Sequence, residues 1–499
     1  MAIDVTPRRR SGVLAHISSL PGPYGLGELG LEARNFVDQL VDAGQTIWQI
    51  LPLNPADEGG CPYSSPSAFA GDTRLVSIDT LVGAGLLSQD EAAPAQRPDN
   101  GMRVDFSDIY PARETVLMRT FERIVQQEDP AFVQFKTREA SWLDDYALFE
   151  ALAGEHGSRN WLTWPDELKL YREEALETAW RSLRDEIEAI KAGQFVFDTQ
   201  WRALKAYANR RGVSILGDLP IYVSLSSADV WANRANFRLT SRGEPIAVSG
   251  CPPDYFSEDG QLWGNPIYNW AHQKDHGFDW WVARMQRMAD LYDIVRLDHF
   301  RAFSAYWEVP ADAETAADGA WQPSPGESLF REVRRALPDL EIIAEDLGDI
   351  DAPVYALRDK FEFPGMRIVQ YELGEMTAET APQSYSPRSV AYIGTHDNAT
   401  ARGWIEAASE DDVNRLSELT GSADLDRWTM AKFLLGSGSD TVIHQLQDLI
   451  WLGDEARFNV PGSVGPENWS WRLEPGAFDE DTRRNLRDAT VAGGRLTDR

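Results

Sequence analysis

The chain has 499 residues, more than one compact core usually serves, so several domains or one barrel with large insertions is expected. Its composition is that of an ordinary globular protein, 43% hydrophobic and 25% charged, and no stretch approaches the roughly 20 apolar residues that cross a bilayer. A formal charge of −31, from 48 basic and 79 acidic residues, repels nucleic acid and anionic lipid and favours a neutral substrate. Two cysteines, Cys61 and Cys251, suit a reducing compartment better than a disulfide scaffold, and the basic start of the chain lacks the apolar core of a signal peptide, so a cytoplasmic location is expected. Eighteen tryptophans exceed what core packing normally requires, and flat indole faces are what sugar rings stack on.

In chain order, eight short β-like runs end in polar or Gly/Pro residues, at 12–17, 46–51, 213–218, 294–298, 341–345, 366–371, 390–396 and 456–461. Helical patterns at 31–43, 200–211 and 279–292 alternate with them, which argues a parallel sheet, and eight repeats favour closure into a (β/α)8 TIM barrel with large, mostly helical insertions. Residues 1–52 then carry the first two strands. Residues 53–197, with helical periodicity at 115–127, 130–154 and 168–192, form an inserted helical cap. Residues 198–499 carry strands three to eight, with an inserted active-site loop region at about 225–275, an exposed Ala/Asp/Pro-rich loop at 312–326 and a helical tail at 479–499.

In such a barrel the residues that close successive strands converge at one end. Asp218, Asp298, Glu345 and the pair His396-Asp397 each close a run. A lone acidic residue there is usually a turn former or helix cap, but four in phase are a cluster that must shift pKa values to coexist. Two carboxyls in different environments are what a retaining glycosidase uses, one as nucleophile and one as proton donor. A divalent metal site is the rival reading, and Arg296 beside the cluster would compete with a cation.

Arg296-Leu297-Asp298-His299, Ala344-Glu345-Asp346 and Thr395-His396-Asp397-Asn398 resemble signature regions of the α-amylase clan. With Pro252-Pro253-Asp254-Tyr255-Phe256 and Gln261-Leu262-Trp263-Gly264-Asn265-Pro266, the chain resembles the amylomaltase family of 4-α-glucanotransferases from residue 12 to about 471. The resemblance implies transfer of α-1,4-glucan segments from malto-oligosaccharides or amylose to glucose or another glucan, through a covalent glycosyl-aspartate, without cofactor or metal. It implies Asp298 as nucleophile, Glu345 as general acid/base and Asp397 as transition-state stabiliser. Tyr63, Asp218, Arg296, His299, His396, Asp254, Trp263 and Asn468 would bind sugar, with loop 251–265 on the acceptor side and loop 459–471 opposite. The residues agree with those roles. Arg296 lies two positions before Asp298, on the same strand face, and should keep it ionised, whereas Glu345 needs less positive charge and a raised pKa. Asp346 falls on the other face and is expected to be structural. A hydrolase that lets water attack and a non-catalytic glucan-binding protein are the competing readings. The expected partners are glucan donor and acceptor, with neither nucleic acid nor membrane, and a monomer or homodimer.

Overall fold

The computed structural model describes residues 9–97, 101–127, 129–253 and 258–496. Twelve strands occur in them: β1 (Arg10–Leu14), β2 (Ile47–Gln49), β3 (Ser214–Leu219), β4 (Ala247–Cys251), β5 (Gln261–Pro266), β6 (Ile294–Leu297), β7 (Ala305–Pro310), β8 (Ala320–Pro323), β9 (Glu341–Ala344), β10 (Gly365–Ile368), β11 (Ser389–Tyr392) and β12 (Thr441–Gln445). Eight of these pair in parallel in the order β10-β11-β12-β1-β2-β3-β6-β9. Across the remaining seam, the Ala344 N–H donates to the Pro364 carbonyl at 2.9 Å, so the sheet curls back on itself as a (β/α)8 TIM barrel. Helices such as Leu31–Asp42, Asp279–Leu291, Gly326–Ala336 and Ala352–Lys360 return the chain between strands and turn their apolar stripes inward. Gly217 is required within β3, because a Cβ there would stand 2.2 Å from the Tyr292 ring. That close approach seats the strand that carries Asp218.

The eighth barrel strand is not 456–461 but β12, at Thr441–Gln445. Residues Asp454–Ala456 form a 3-10 turn, and the chain beyond them is loop. Alternation at 456–460 mimics a strand, while His444 and Gln445 disguise β12, whose five residues are all buried and which pairs with β1 and β11. Pairing partners decide strand identity here, and periodicity cannot see them.

Between β2 and β3 the chain is helical. Helices Phe106–Gln127 and Pro130–His156 pack on Arg184–Arg210. The last runs unbroken across position 197, because its apolar stripe continues through Val196, Trp201, Leu204 and Ala208. Excursions after β3 and β6 meet in an antiparallel sheet of order β5-β4-β7-β8 that sequence reasoning did not foresee. Part of 312–326 is therefore strand β8, and Val248, Val309 and Ala316 form the small core beneath that sheet. The tail is helical at Glu480–Ala492. No helix among the described residues is long and apolar enough to cross a membrane.

Candidate active site

Asp218 lies within β3, and Arg296 lies within β6 and pairs with it across the two strands. Asp298 and Glu345 follow directly after the ends of β6 and β9. Arg296, 3% exposed in its side chain, points Nη1 at both oxygens of Asp218, at 2.8 and 2.7 Å, and at Asp298 Oδ1 at 2.9 Å. The i, i+2 alternation of a strand puts Arg296 and Asp298 on one face, as the sequence spacing requires. Asp218 is fully buried, whereas 28% of the Asp298 side chain remains open to the cleft. Asp218 and Arg296 are therefore shut off from solvent, whereas Asp298 stays accessible.

His299 adopts a left-handed backbone, φ 50°, uncommon for a residue with a Cβ. This conformation aims its N–H at Glu345 Oε2, at 2.6 Å, and the Leu347 N–H reaches Oε1 at 3.0 Å. Glu345 is thus fixed in orientation by backbone groups, with no ion pair to a cation among the described residues. Asp346 turns away, tying Arg358 and the Met366 N–H at the start of β10, as expected of a structural residue.

Burial pushes Asp298 up to about 8, with Arg296 pulling it back and Asp218, Glu345 and Asp397 adding to the rise. Burial likewise raises Glu345 above the ordinary carboxylate range, against Arg296 and its two backbone bonds. Crowded carboxylates that share one cation titrate as a unit, so the pair retains a proton near neutral pH. Arg296 is ion-paired with Asp298 at 2.9 Å, which favours the ionised form of that member of the pair, as its place on the strand face suggests. It does not abolish the crowding that the clustered carboxylates were expected to create.

Tyr63 arrives from the loop after β2. Its hydroxyl donates to Asp218 Oδ2 at 2.7 Å and stands 2.9 Å from His396 Nε2, and its ring is stacked on the His396 ring with centroids 5.7 Å apart. Since the one phenolic proton goes to Asp218, the oxygen accepts from a His396 Nε2–H. Burial lowers the His396 pKa and keeps it neutral, with Nδ1 left unpartnered. The His299 imidazole, lowered by burial to about 4, is neutral as well. Asp397 stands 3.3 Å from His396 Nε2 and keeps 32% of its side chain exposed. Trp263, on β5, sets its ring edge-on to His299 at 4.9 Å.

Two of the sequence-derived residues stand apart. Asn468 is 3% exposed, accepts the Val460 N–H at 3.0 Å and donates to the Ser463 carbonyl at 3.0 Å, so its amide shapes its own loop. Asp254 lies outside the described residues.

Sequence reasoning placed loop 459–471, with Trp469, opposite the acceptor side, but gave Asn459 no role of its own and did not include Arg457. Asn459 donates to Asp397 Oδ1 at 2.7 Å, and Arg457 donates to the Asp397 carbonyl at 2.7 Å. Trp469, with φ 63°, sets its ring 5.5 Å from Tyr63 and 6.2 Å from His396. No spacing signals the bonds to Asp397, because they depend on where folding brings this loop.

Comparison with known proteins decides what this constellation is for. The family profile described as 4-alpha-glucanotransferase matches residues 15–478. The chain belongs to the 4-alpha-glucanotransferase family. It is 40% identical to a 4-alpha-glucanotransferase of Thermus thermophilus over 98% of this chain and 99% of that one. To its counterpart in Clostridium butyricum it is 39% identical, over 96% and 99%. The structure of an amylomaltase from Streptococcus agalactiae in complex with acarbose superposes with a TM-score of 0.94, at 38% identity, over 98% of this chain and all of that one. This 4-alpha-glucanotransferase moves α-1,4-linked glucan between sugars.

Trp469 offers a test of the cleft. A left-handed residue with a Cβ stores about 1–2 kcal/mol of strain, relieved by glycine. Trp469→Ala should raise KM for maltotriose on the order of tenfold, the worth of one lost aromatic contact, with a smaller change in kcat. Trp469→Gly should show the same KM effect yet unfold at a higher temperature than Trp469→Ala. An unaltered KM in both variants would mean that the ring never meets sugar.

Proposed function

We propose that transfer proceeds with retention through a glucosyl ester on Asp298. The observation that carries this reading is the unequal treatment of two neighbouring carboxyls. Arg296 bonds Asp298 and not Glu345, which hangs on two backbone N–H groups. Asp298 Oδ attacks the anomeric carbon of the donor as the bond to the leaving O4 breaks, and Glu345 gives its proton to that oxygen. The shortened glucan departs. An acceptor 4-hydroxyl then loses its proton to Glu345 and attacks the same carbon, which releases Asp298 and forms a new α-1,4 bond. Two inversions return the original configuration.

Asp397, held by Asn459 and Arg457, is oriented to grip the ring hydroxyls of the sugar being transferred. His299 and His396, both neutral, serve as hydrogen-bonding groups, and Tyr63 with Trp469 forms the aromatic wall. Asp218 acts by holding Arg296. Trp263 belongs to the acceptor side, where β5 places it next to His299. The donors are malto-oligosaccharides or amylose, the acceptors glucose or other α-glucans, and the compartment is the cytoplasm.

Incubation with maltotriose should yield glucose and a ladder of longer maltodextrins. Glucose and maltose alone would identify a hydrolase and overturn the transfer reading of the loops. The pH profile of kcat/KM should be bell-shaped. Because burial raises Glu345 above the ordinary carboxylate range, its proton is kept to a higher pH than a free carboxyl would hold it, and activity should fall on the alkaline side as Glu345 loses the proton it must donate. On the acid side it should fall as Asp298 itself becomes protonated. A profile flat from pH 6 to pH 10 would rule out proton transfer from this pair.

A further inference from the structure

One guanidinium on the helical insertion holds both limbs of the loop that follows β12. Arg103, exposed and just ahead of helix Phe106–Gln127, donates through Nη2 to the Glu455 carbonyl at 2.8 Å on the incoming limb. Through Nη1 it donates to the Glu467 carbonyl at 2.7 Å and to the Ser470 hydroxyl at 3.0 Å on the outgoing limb. The main chain continues the junction, with the Val104 N–H on the Ser470 carbonyl and the Arg472 N–H on the Met102 carbonyl, each at 2.7 Å. These three side-chain acceptors are uncharged, and the Glu455 carboxylate turns instead to the Gly453 N–H at 3.0 Å. A guanidinium bonded to main-chain carbonyls on two limbs fixes the path of the chain, which a planar fork of donors can do and a single ammonium cannot.

The held points flank the part of the loop that reaches the cleft. Arg457 and Asn459 follow Glu455 by two and four positions, and both bond Asp397. Trp469 stands between Glu467 and Ser470, and its N–H closes the two limbs on the Phe458 carbonyl at 2.7 Å. Its left-handed backbone, φ 63°, is a conformation that persists only where the surroundings over-determine it. Two of the Arg103 bonds fall on either side of that residue, at Glu467 and Ser470. The side chain that over-determines Trp469 on the outgoing limb is thus the one that fixes the approach to Arg457 and Asn459 on the incoming limb.

We propose that Arg103 is a positioning residue for glucan transfer: it clasps the loop after β12 and through that loop sets Asp397 and Trp469 against the sugar. The inference rests on the roles proposed above for Asp397 and Trp469. Arg103→Ala should lower kcat with maltotriose on the order of tenfold, because the loop is then in its competent arrangement for only a fraction of the time. The unfolding temperature should stay within about 2 °C, since the side chain is exposed. Arg103→Lys keeps the charge without the fork and should recover little of the loss. Hydrogen exchange in Arg103→Ala should quicken at residues 455–470 and not in helix Phe106–Gln127. Asn459→Ala should also lower kcat, and Arg103→Ala/Asn459→Ala should be little worse than Asn459→Ala, since both substitutions act through Asp397. Unaltered kcat in Arg103→Ala beside an impaired Asn459→Ala would overturn this inference and leave the role of Asp397 standing. Full activity in Asn459→Ala would overturn that role and this inference with it. Additive losses in the double variant, unaltered exchange at 455–470, or full rescue by lysine would each overturn the clasp alone.

Discussion

Asp298→Ala is expected to lower kcat/KM for maltotriose by on the order of 10⁴-fold or more, since without the carboxylate no covalent intermediate forms. Glu345→Gln should lose about 10² to 10⁴-fold on the same donor, the usual worth of a positioned acid. The two variants should separate on α-glucosyl fluoride, whose leaving group needs no proton. Asp298→Ala should stay inactive. Glu345→Gln should still form the ester and then stall, because no base remains to activate the acceptor, so mass spectrometry should find the protein heavier by one glucosyl group. Failure to find that adduct, with the fluoride consumed at neither enzyme, would remove Glu345 from the proton-donor role. An adduct formed equally by Asp298→Ala would place the nucleophile elsewhere.

Arg296→Met should strike stability and catalysis together. The guanidinium is 3% exposed and satisfies Asp218, which is fully buried and, among the described residues, has Tyr63 as its other side-chain partner. Removing one member of a buried ion pair leaves the other charge stranded, at a cost of about 3–5 kcal/mol, which in a chain of this size lowers the unfolding temperature by several degrees. The cation also favours the ionised form of Asp298, so its loss raises that pKa and moves the acid limb of the pH profile upward, leaving less nucleophile at pH 7. The double variant Arg296→Met/Asp218→Asn should recover most of the stability, since no unpaired charge is then buried, but not the activity. If Asp218→Asn instead destabilised the Arg296→Met protein further, the ion pair would not be the source of the loss. Calorimetry and rate measurements on the four proteins of this cycle check both parts.

The sequence by itself determined the barrel and its carboxylates. Strand–helix alternation is written in local periodicity, and seven of the eight barrel strands fall on the expected runs. Asp218, Asp298 and Glu345 were visible because each lies at or near a strand end, and strand ends converge in a barrel whatever the loops do. The side-by-side placement of Arg296 and Asp298 followed from a period of two, a property of the backbone alone. Tertiary structure decided everything that depends on contact between distant loops. Tyr63 reaches Asp218 across 155 positions and His396 across 333, and Asn459 reaches Asp397 from beyond a strand that only its pairing with β1 and β11 identifies. The antiparallel sheet and the tie of Asn468 to its own loop belong to the same class. The physical reason is the same in each case. Local pattern reports which face of an element is apolar, whereas hydrogen bonds between loops depend on where folding brings the ends of different elements, and no short window of sequence contains that information.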